Sequence, residues 1–120
     1  MTVRGVFVSA TAFLDLQPGD VVFSQGDTGA TMYGVVSGAV ELRDGNDVVG
    51  VCGADATFGE LAIIDHAPRS LTAVATEATR VAVIDERTFL YLVHETPTFA
   101  LQVMRALAAR IRQLDEAREH

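Results

Sequence analysis

The pattern that most limits how this chain can fold runs from Pro18 to Asp85. It is a succession of short apolar runs, each cut off by turn-forming residues. The runs are VVFSQ (21–25), TMYGVV (31–36), AVELR (39–43), DVVGVC (47–52), SLTAVAT (70–76) and RVAVID (80–85). Between them stand PGD (18–20), QGDTG (25–29), SG (37–38) and DGND (44–47). Runs this short, about ten residues apart and split by Gly and Asp, are the mark of antiparallel strands joined by tight turns. In 39–43, Val40 and Leu42 can face a core while Glu41 and Arg43 face water. Residues 1–17 show no clean period and read as a short helix or strand followed by a turn.

After Asp85 the period changes. Asp85 can cap a helix through Phe89, Leu90 and Val93. Thr96 and Pro97 then read as a second cap, with Pro at the first helical position. Ala100, Met104, Leu107, Ile111 and Leu114 recur at spacings of four and three, a heptad seam that serves either the β core or a second copy. The expected architecture is mainly β: an antiparallel β-roll or jelly roll of about eight strands, a short helix near residue 60, and two C-terminal helices.

Composition narrows the function. The 120 residues fit a single domain, with a β-roll over about 16–85 and helices over 86–118. No apolar run spans a bilayer, and no charged and apolar leader opens the chain. A lone cysteine, Cys52, excludes an internal disulfide; it suits a reducing compartment, so a cytoplasmic location is expected. Net charge is −7, which argues against DNA binding through phosphate neutralisation. All nine basic residues are Arg, the side chain better suited to gripping a phosphate in a partly buried site.

One stretch departs from the pattern. FGELAIIDHAPRS, residues 58–70, reads as core yet carries Glu60 and Arg69. Thr57 and Glu60 stand at capping-box spacing, which predicts a short helix opening at Thr57. Arg69 shares strand phase with Leu71, Ala73 and Ala75, the apolar face, so its guanidinium should point inward. A buried Arg without a counter-charge costs several kcal/mol. Its partner is then Glu60, an anionic ligand, or both, unless the side chain reaches the rim. If both, Arg and helix start hold a phosphate while Glu, an acceptor when ionised, takes a ligand hydroxyl.

These residues resemble the phosphate-binding cassette of cyclic-nucleotide-binding domains, the β-roll shared by bacterial catabolite activator proteins, cyclic-nucleotide-dependent kinase regulatory subunits and cyclic-nucleotide-gated channels. Phe58-Gly59-Glu60, a short helix, then Pro68-Arg69-Ser70 match in order and spacing. Upstream, Gly19-Asp20, Gly26-Asp27, Met32-Tyr33 and Ser37-Gly38 match as well, so the resemblance runs from about residue 16 to about residue 114. It implies that the Phe58-Gly59 region and the start of the short helix meet the cyclic phosphate. Arg69 and Ser70 would bind the phosphate oxygens and Glu60 the ribose 2′-hydroxyl. Leu61 and Ala62 would add backbone or apolar contacts, and Val49 and Val51 would flank sugar and base. In the last helix Arg110 matches a family arginine. Leu114 and Asp115 stand where the catabolite activator protein uses hydroxyl residues on adenine.

The expected ligand is therefore cAMP, ahead of cGMP, with no cofactor and no metal. The segment ahead of the roll is shorter than is usual in the family. Nothing in the chain reads as a DNA reader, a channel or a kinase-inhibitory segment. The implied partners are a separate downstream protein and a homodimer mate through 100–114, with no DNA and no membrane. An enzyme is not expected: His66, His94 and His120 form no metal-binding pattern, and no nucleophile sits beside a base. A degenerate domain that binds only protein is the competing reading. Retention of both Glu60 and Arg69 weighs against it.

Overall fold

A computed structural model describes residues 12–119, with side chains through residue 112. The described residues form eight strands: β1 Ala12–Leu16, β2 Val21–Phe23, β3 Thr31–Ser37, β4 Val40–Asp44, β5 Asp47–Cys52, β6 Thr57–Phe58, β7 Thr72–Ala75 and β8 Thr79–Asp85. A one-turn helix, α1 Leu61–Ile64, follows β6; α2 Glu86–Glu95 and α3 Thr98–Glu119 follow β8. The strands form two antiparallel four-stranded sheets, ordered β1-β8-β3-β6 and β2-β7-β4-β5. This is the mainly-β roll with C-terminal helices that the strand pattern predicted.

Two short strands were hidden in the sequence. β1 lies in the ambiguous segment before Pro18 and pairs β8 with Leu14 opposite Val81; residues 1–11 lie outside the described residues. β6 holds only Thr57 and Phe58, opposite Gly34 and Tyr33 of β3. That pairing overturns the predicted capping box. Thr57 is a strand residue, Glu60 itself occupies the N-cap position of α1, and no side chain caps the helix start.

Strand alternation builds two cores from the same strands. Tyr33 and Val35 of β3 and Val81 of β8 face the interior of the roll, with Phe23, Val40, Leu42, Phe58, Ala73 and Ala75. Met32 of β3 and Ala82 and Ile84 of β8 face the other way, onto Ile63, Leu92, Phe99 and Val103 of the helices. The helices thus cover a sheet face that would otherwise be exposed and apolar.

The capping reading of Asp85 holds: its Oδ1 accepts from Thr88 N at 2.7 Å and opens α2. α3 begins at Thr98, just after Pro97, and Thr96 ends α2 with its N–H on Leu92 O. The heptad seam resolves into two faces. Phe99, Val103 and Leu107 pack on the roll, whereas Met104 and Ile111 are exposed, together with Leu101. The side chain of Leu114 lies outside the described residues. Among the described residues no helix is long and apolar enough to cross a membrane.

Candidate functional site

The site is assembled by loops that return to one end of the roll. The β2–β3 connection is stitched to the chain around Arg69 by two backbone bonds, Gly26 N to Arg69 O at 2.7 Å and Arg69 N to Asp27 O at 2.8 Å. These fix the base of the Arg69 side chain. Arg69 is 7% exposed, and its guanidinium reaches across to the cassette. Nη1 donates to Thr31 O at 2.7 Å and to Gly59 O at 3.3 Å, and Nη2 donates to the Thr31 hydroxyl at 3.4 Å. The group lies over the Phe23 ring, 4.2 Å from its centroid, an arrangement that favours a cation. The predicted inward direction of Arg69 is what the fold shows, although β7 begins only at Thr72.

Two glycines make this seat. A Cβ on Gly29 would stand 2.6 Å from Arg69 Nη2, and one on Gly59 3.0 Å from Nη1. Gly59 also has φ +79°, a left-handed conformation that side chains resist. The glycine before Glu60 is therefore required twice, by backbone and by space.

Glu60 is 1% exposed and does not pair with Arg69. Its Oε1 accepts from the Thr57 hydroxyl at 2.9 Å and its Oε2 from Arg110 Nη1 at 2.7 Å. Arg110 Nη2 donates to Thr57 O at 2.6 Å, so one guanidinium of α3 clasps both residues. Burial alone would lower the Arg110 pKa, but the charge of Glu60 and its hydrogen bond outweigh that and raise it. Nearby, burial pushes the Cys52 thiol up, with Arg110 pulling the other way. Among the described residues no carboxylate pairs with Arg69. Of the two partners open to it in sequence, the internal Glu60 pair is not formed.

The other expected residues fall as follows. Phe58 is wholly buried, its ring stacked 5.3 Å from Tyr33, and supports the cassette from beneath. Ala62 is buried, Leu61 is 39% exposed, and Ser70, beside Arg69, is exposed. Val49 is half-buried against the roll core. A cleft of about 370 Å³ opens between β5 and α3, lined by Val51, Cys52, Asp55, Thr57, Gln102, Arg105 and Arg110 among others. Arg110 and Thr57 join this cleft to Glu60. Leu114 and Asp115 belong to α3, but their side chains lie outside the described residues. Residue-type reasoning missed Thr31 and read Thr57 only as a helix cap. Both act through backbone carbonyls and hydroxyls, which leave no charge signature in sequence.

Roll, cassette and helical cover bring a buried cation and a buried carboxylate to the two sides of one glycine turn, and among the described residues no carboxylate balances the cation. The model of the cyclic nucleotide-binding domain matches residues 13–96, and the chain belongs to that family. It is 33% identical to the cyclic AMP receptor protein of Thermus thermophilus over 102 residues, 81% of this chain and 47% of that protein. It is 32% identical to a CRP-like cAMP-activated global transcriptional regulator of Mycobacterium tuberculosis, over 92% of this chain and 54% of that protein. The solved catabolite activator protein of Thermus thermophilus superposes with TM-score 0.79 at 28% identity, covering 98% of this chain and 57% of that one. The chain thus spans about half the length of these relatives.

Proposed function

We propose that the protein binds a 3′,5′-cyclic nucleotide, cAMP ahead of cGMP, and acts as a regulatory sensor rather than as an enzyme. The observation that carries this reading is the Arg69 guanidinium. It is buried, it faces carbonyl oxygens and a ring, and no described carboxylate balances it. Such a charge costs several kcal/mol to bury, and a bound anion offsets that cost. Arg69, Ser70 and the Gly59–Ala62 turn take the cyclic phosphate, and Glu60 takes the ribose 2′-hydroxyl. Phe58 holds the turn against the core.

Isothermal titration with cAMP and cGMP tests this. One nucleotide binds, and Arg69→Ala weakens it by about 2–5 kcal/mol, roughly thirty-fold to several thousand-fold. No heat with either nucleotide, or equal affinity in wild type and variant, sinks the reading.

The response passes through the helices. Glu60 already holds Arg110 of α3, so a ribose hydroxyl arriving at Glu60 changes the terms on which α3 docks. Ligand then shifts the population of docked helix. A downstream protein, or a second copy through the exposed Leu101, Met104 and Ile111, reads that shift. Hydrogen exchange across α3 should slow on saturation with ligand; an unchanged profile removes the switch while leaving binding intact.

A further inference from the structure

We propose that Thr31 and Tyr33 are positioning residues for the anion site. Their paired hydroxyls fix the Arg69 guanidinium so that one edge of it, Nε and Nη2, is presented to the ligand phosphate. The identity of that anion rests on the cyclic-nucleotide reading; the geometry of the guanidinium does not.

Arginine donates through a planar fork of N–H groups and accepts nothing. Nη1 gives its two hydrogens to Thr31 O at 2.7 Å and Gly59 O at 3.3 Å, and Nη2 gives one to the Thr31 hydroxyl at 3.4 Å. A single residue thus meets the end of the fork, its carbonyl on one nitrogen and its hydroxyl on the other. The Nε hydrogen and the second Nη2 hydrogen lie side by side on the remaining edge and have no partner among the described residues. Such an edge matches two oxygens of one phosphate. Gly29 borders it: a Cβ there would stand 2.6 Å from Nη2 and 3.1 Å from Nε. The missing side chain keeps that edge open.

Tyr33 sets the direction of the Thr31 hydroxyl. Because a guanidinium only donates, Thr31 Oγ1 must accept from it, and its one hydrogen has to go elsewhere. It goes to the Tyr33 hydroxyl oxygen, 3.2 Å away. Thr31 and Tyr33 stand two apart on β3, on one face of the strand. The Tyr33 ring is itself held, stacked on Phe58 at 5.3 Å and tilted against Phe23 at 5.9 Å.

Phe23 is also the ring beneath Arg69. One aromatic cluster therefore holds the guanidinium twice. Phe23 supports its face, and Tyr33 steadies its edge through Thr31. A cation fixed by the fold loses less freedom when an anion binds, so affinity rises although neither hydroxyl touches the ligand.

The test joins nitrogen-15 NMR of the arginine side chains to titration with cAMP. Arg69→Lys identifies the Arg69 signals. In the wild type the held Nη groups should rotate slowly and give separate resonances. Thr31→Val keeps the β-branched shape and the carbonyl but loses the hydroxyl. Nη2 should then rotate faster, and cAMP affinity should fall about ten-fold. Tyr33→Phe keeps the ring stack and should lower affinity about three-fold. Thr31→Ser restores the hydroxyl, and resonances and affinity should both return toward wild type. Resonances or affinities unmoved in both Thr31→Val and Tyr33→Phe overturn the positioning role, as does a Thr31→Ser variant no better than Thr31→Val. If the wild type binds neither cAMP nor cGMP, the cyclic-nucleotide reading fails by itself, and the resonances still decide whether the two hydroxyls hold Arg69.

Discussion

Glu60 and Arg110 stand fifty positions apart and meet at 2.7 Å, one on the cassette and the other on the last helix. The two ends of this pair are unequal: Glu60 is 1% exposed and the Arg110 side chain 21%. Removing Arg110 strands a buried carboxylate with only the Thr57 hydroxyl; Arg110→Met should cost about 3–5 kcal/mol. Glu60→Gln leaves an arginine that can reach water, and should cost about 1–2 kcal/mol. Urea denaturation of the two variants measures both; the opposite order would contradict the burial difference.

Gly29 is a spatial requirement of Arg69. In Gly29→Ala the new Cβ would sit 2.6 Å from Nη2, so the guanidinium must leave Thr31 or the Phe23 ring. Stability should fall by about 1–2 kcal/mol, and cyclic-nucleotide affinity should fall with it. Gly53 has open space around its Cβ direction and no positive φ, so Gly53→Ala should stay within about 0.5 kcal/mol. Thermal melts with and without ligand separate the two effects.

Asp85 caps α2, and the backbone N–H of Thr88, the largest influence, holds its carboxyl below the ordinary value. A lowered folded pKa stabilises above the unfolded value and loses that stabilisation as pH falls through the folded one. The gap in melting temperature between wild type and Asp85→Ala should therefore be present at neutral pH and close in acid. A gap that persists once the carboxyl is protonated would show that the cap is not electrostatic.

Cys52 is buried, and burial raises its thiol pKa. Since the thiolate is the reactive form, iodoacetamide at pH 8 should modify the native protein at least about ten-fold more slowly than the urea-unfolded chain. Equal rates would place Cys52 at the surface.

Phe99 and Leu101 are two residues apart on α3, yet Phe99 is 1% exposed and Leu101 47%. Phe99 packs on Phe89 with ring centroids 5.7 Å apart. Phe99→Ala should cost about 3–5 kcal/mol, whereas Leu101→Ser should cost less than about 0.5 kcal/mol. Denaturant midpoints of the pair check which face of α3 the roll holds.

Much of this protein is determined by local sequence. Strand alternation and Gly-Asp turns specify the β-roll, because period-two patterning and positive-φ glycines act over only a few residues. Asp85 caps its helix for the same local reason. The inward direction of Arg69 agrees with the alternation of the strand that follows it, but Arg69 precedes that strand and its backbone is fixed by Gly26 and Asp27. Where local rules competed, the sequence misled: Thr57 and Glu60 stand at capping-box spacing, but pairing of Thr57-Phe58 with β3 takes that segment into the sheet. The seam in α3 is likewise real as a periodicity, but the side chains that the roll buries are Phe99, Val103 and Leu107. Only the tertiary structure decided who partners the two buried charges. Glu60 goes to Arg110 and Arg69 to carbonyl oxygens, because those contacts join residues ten to fifty positions apart, and no periodicity in the chain records distances of that kind.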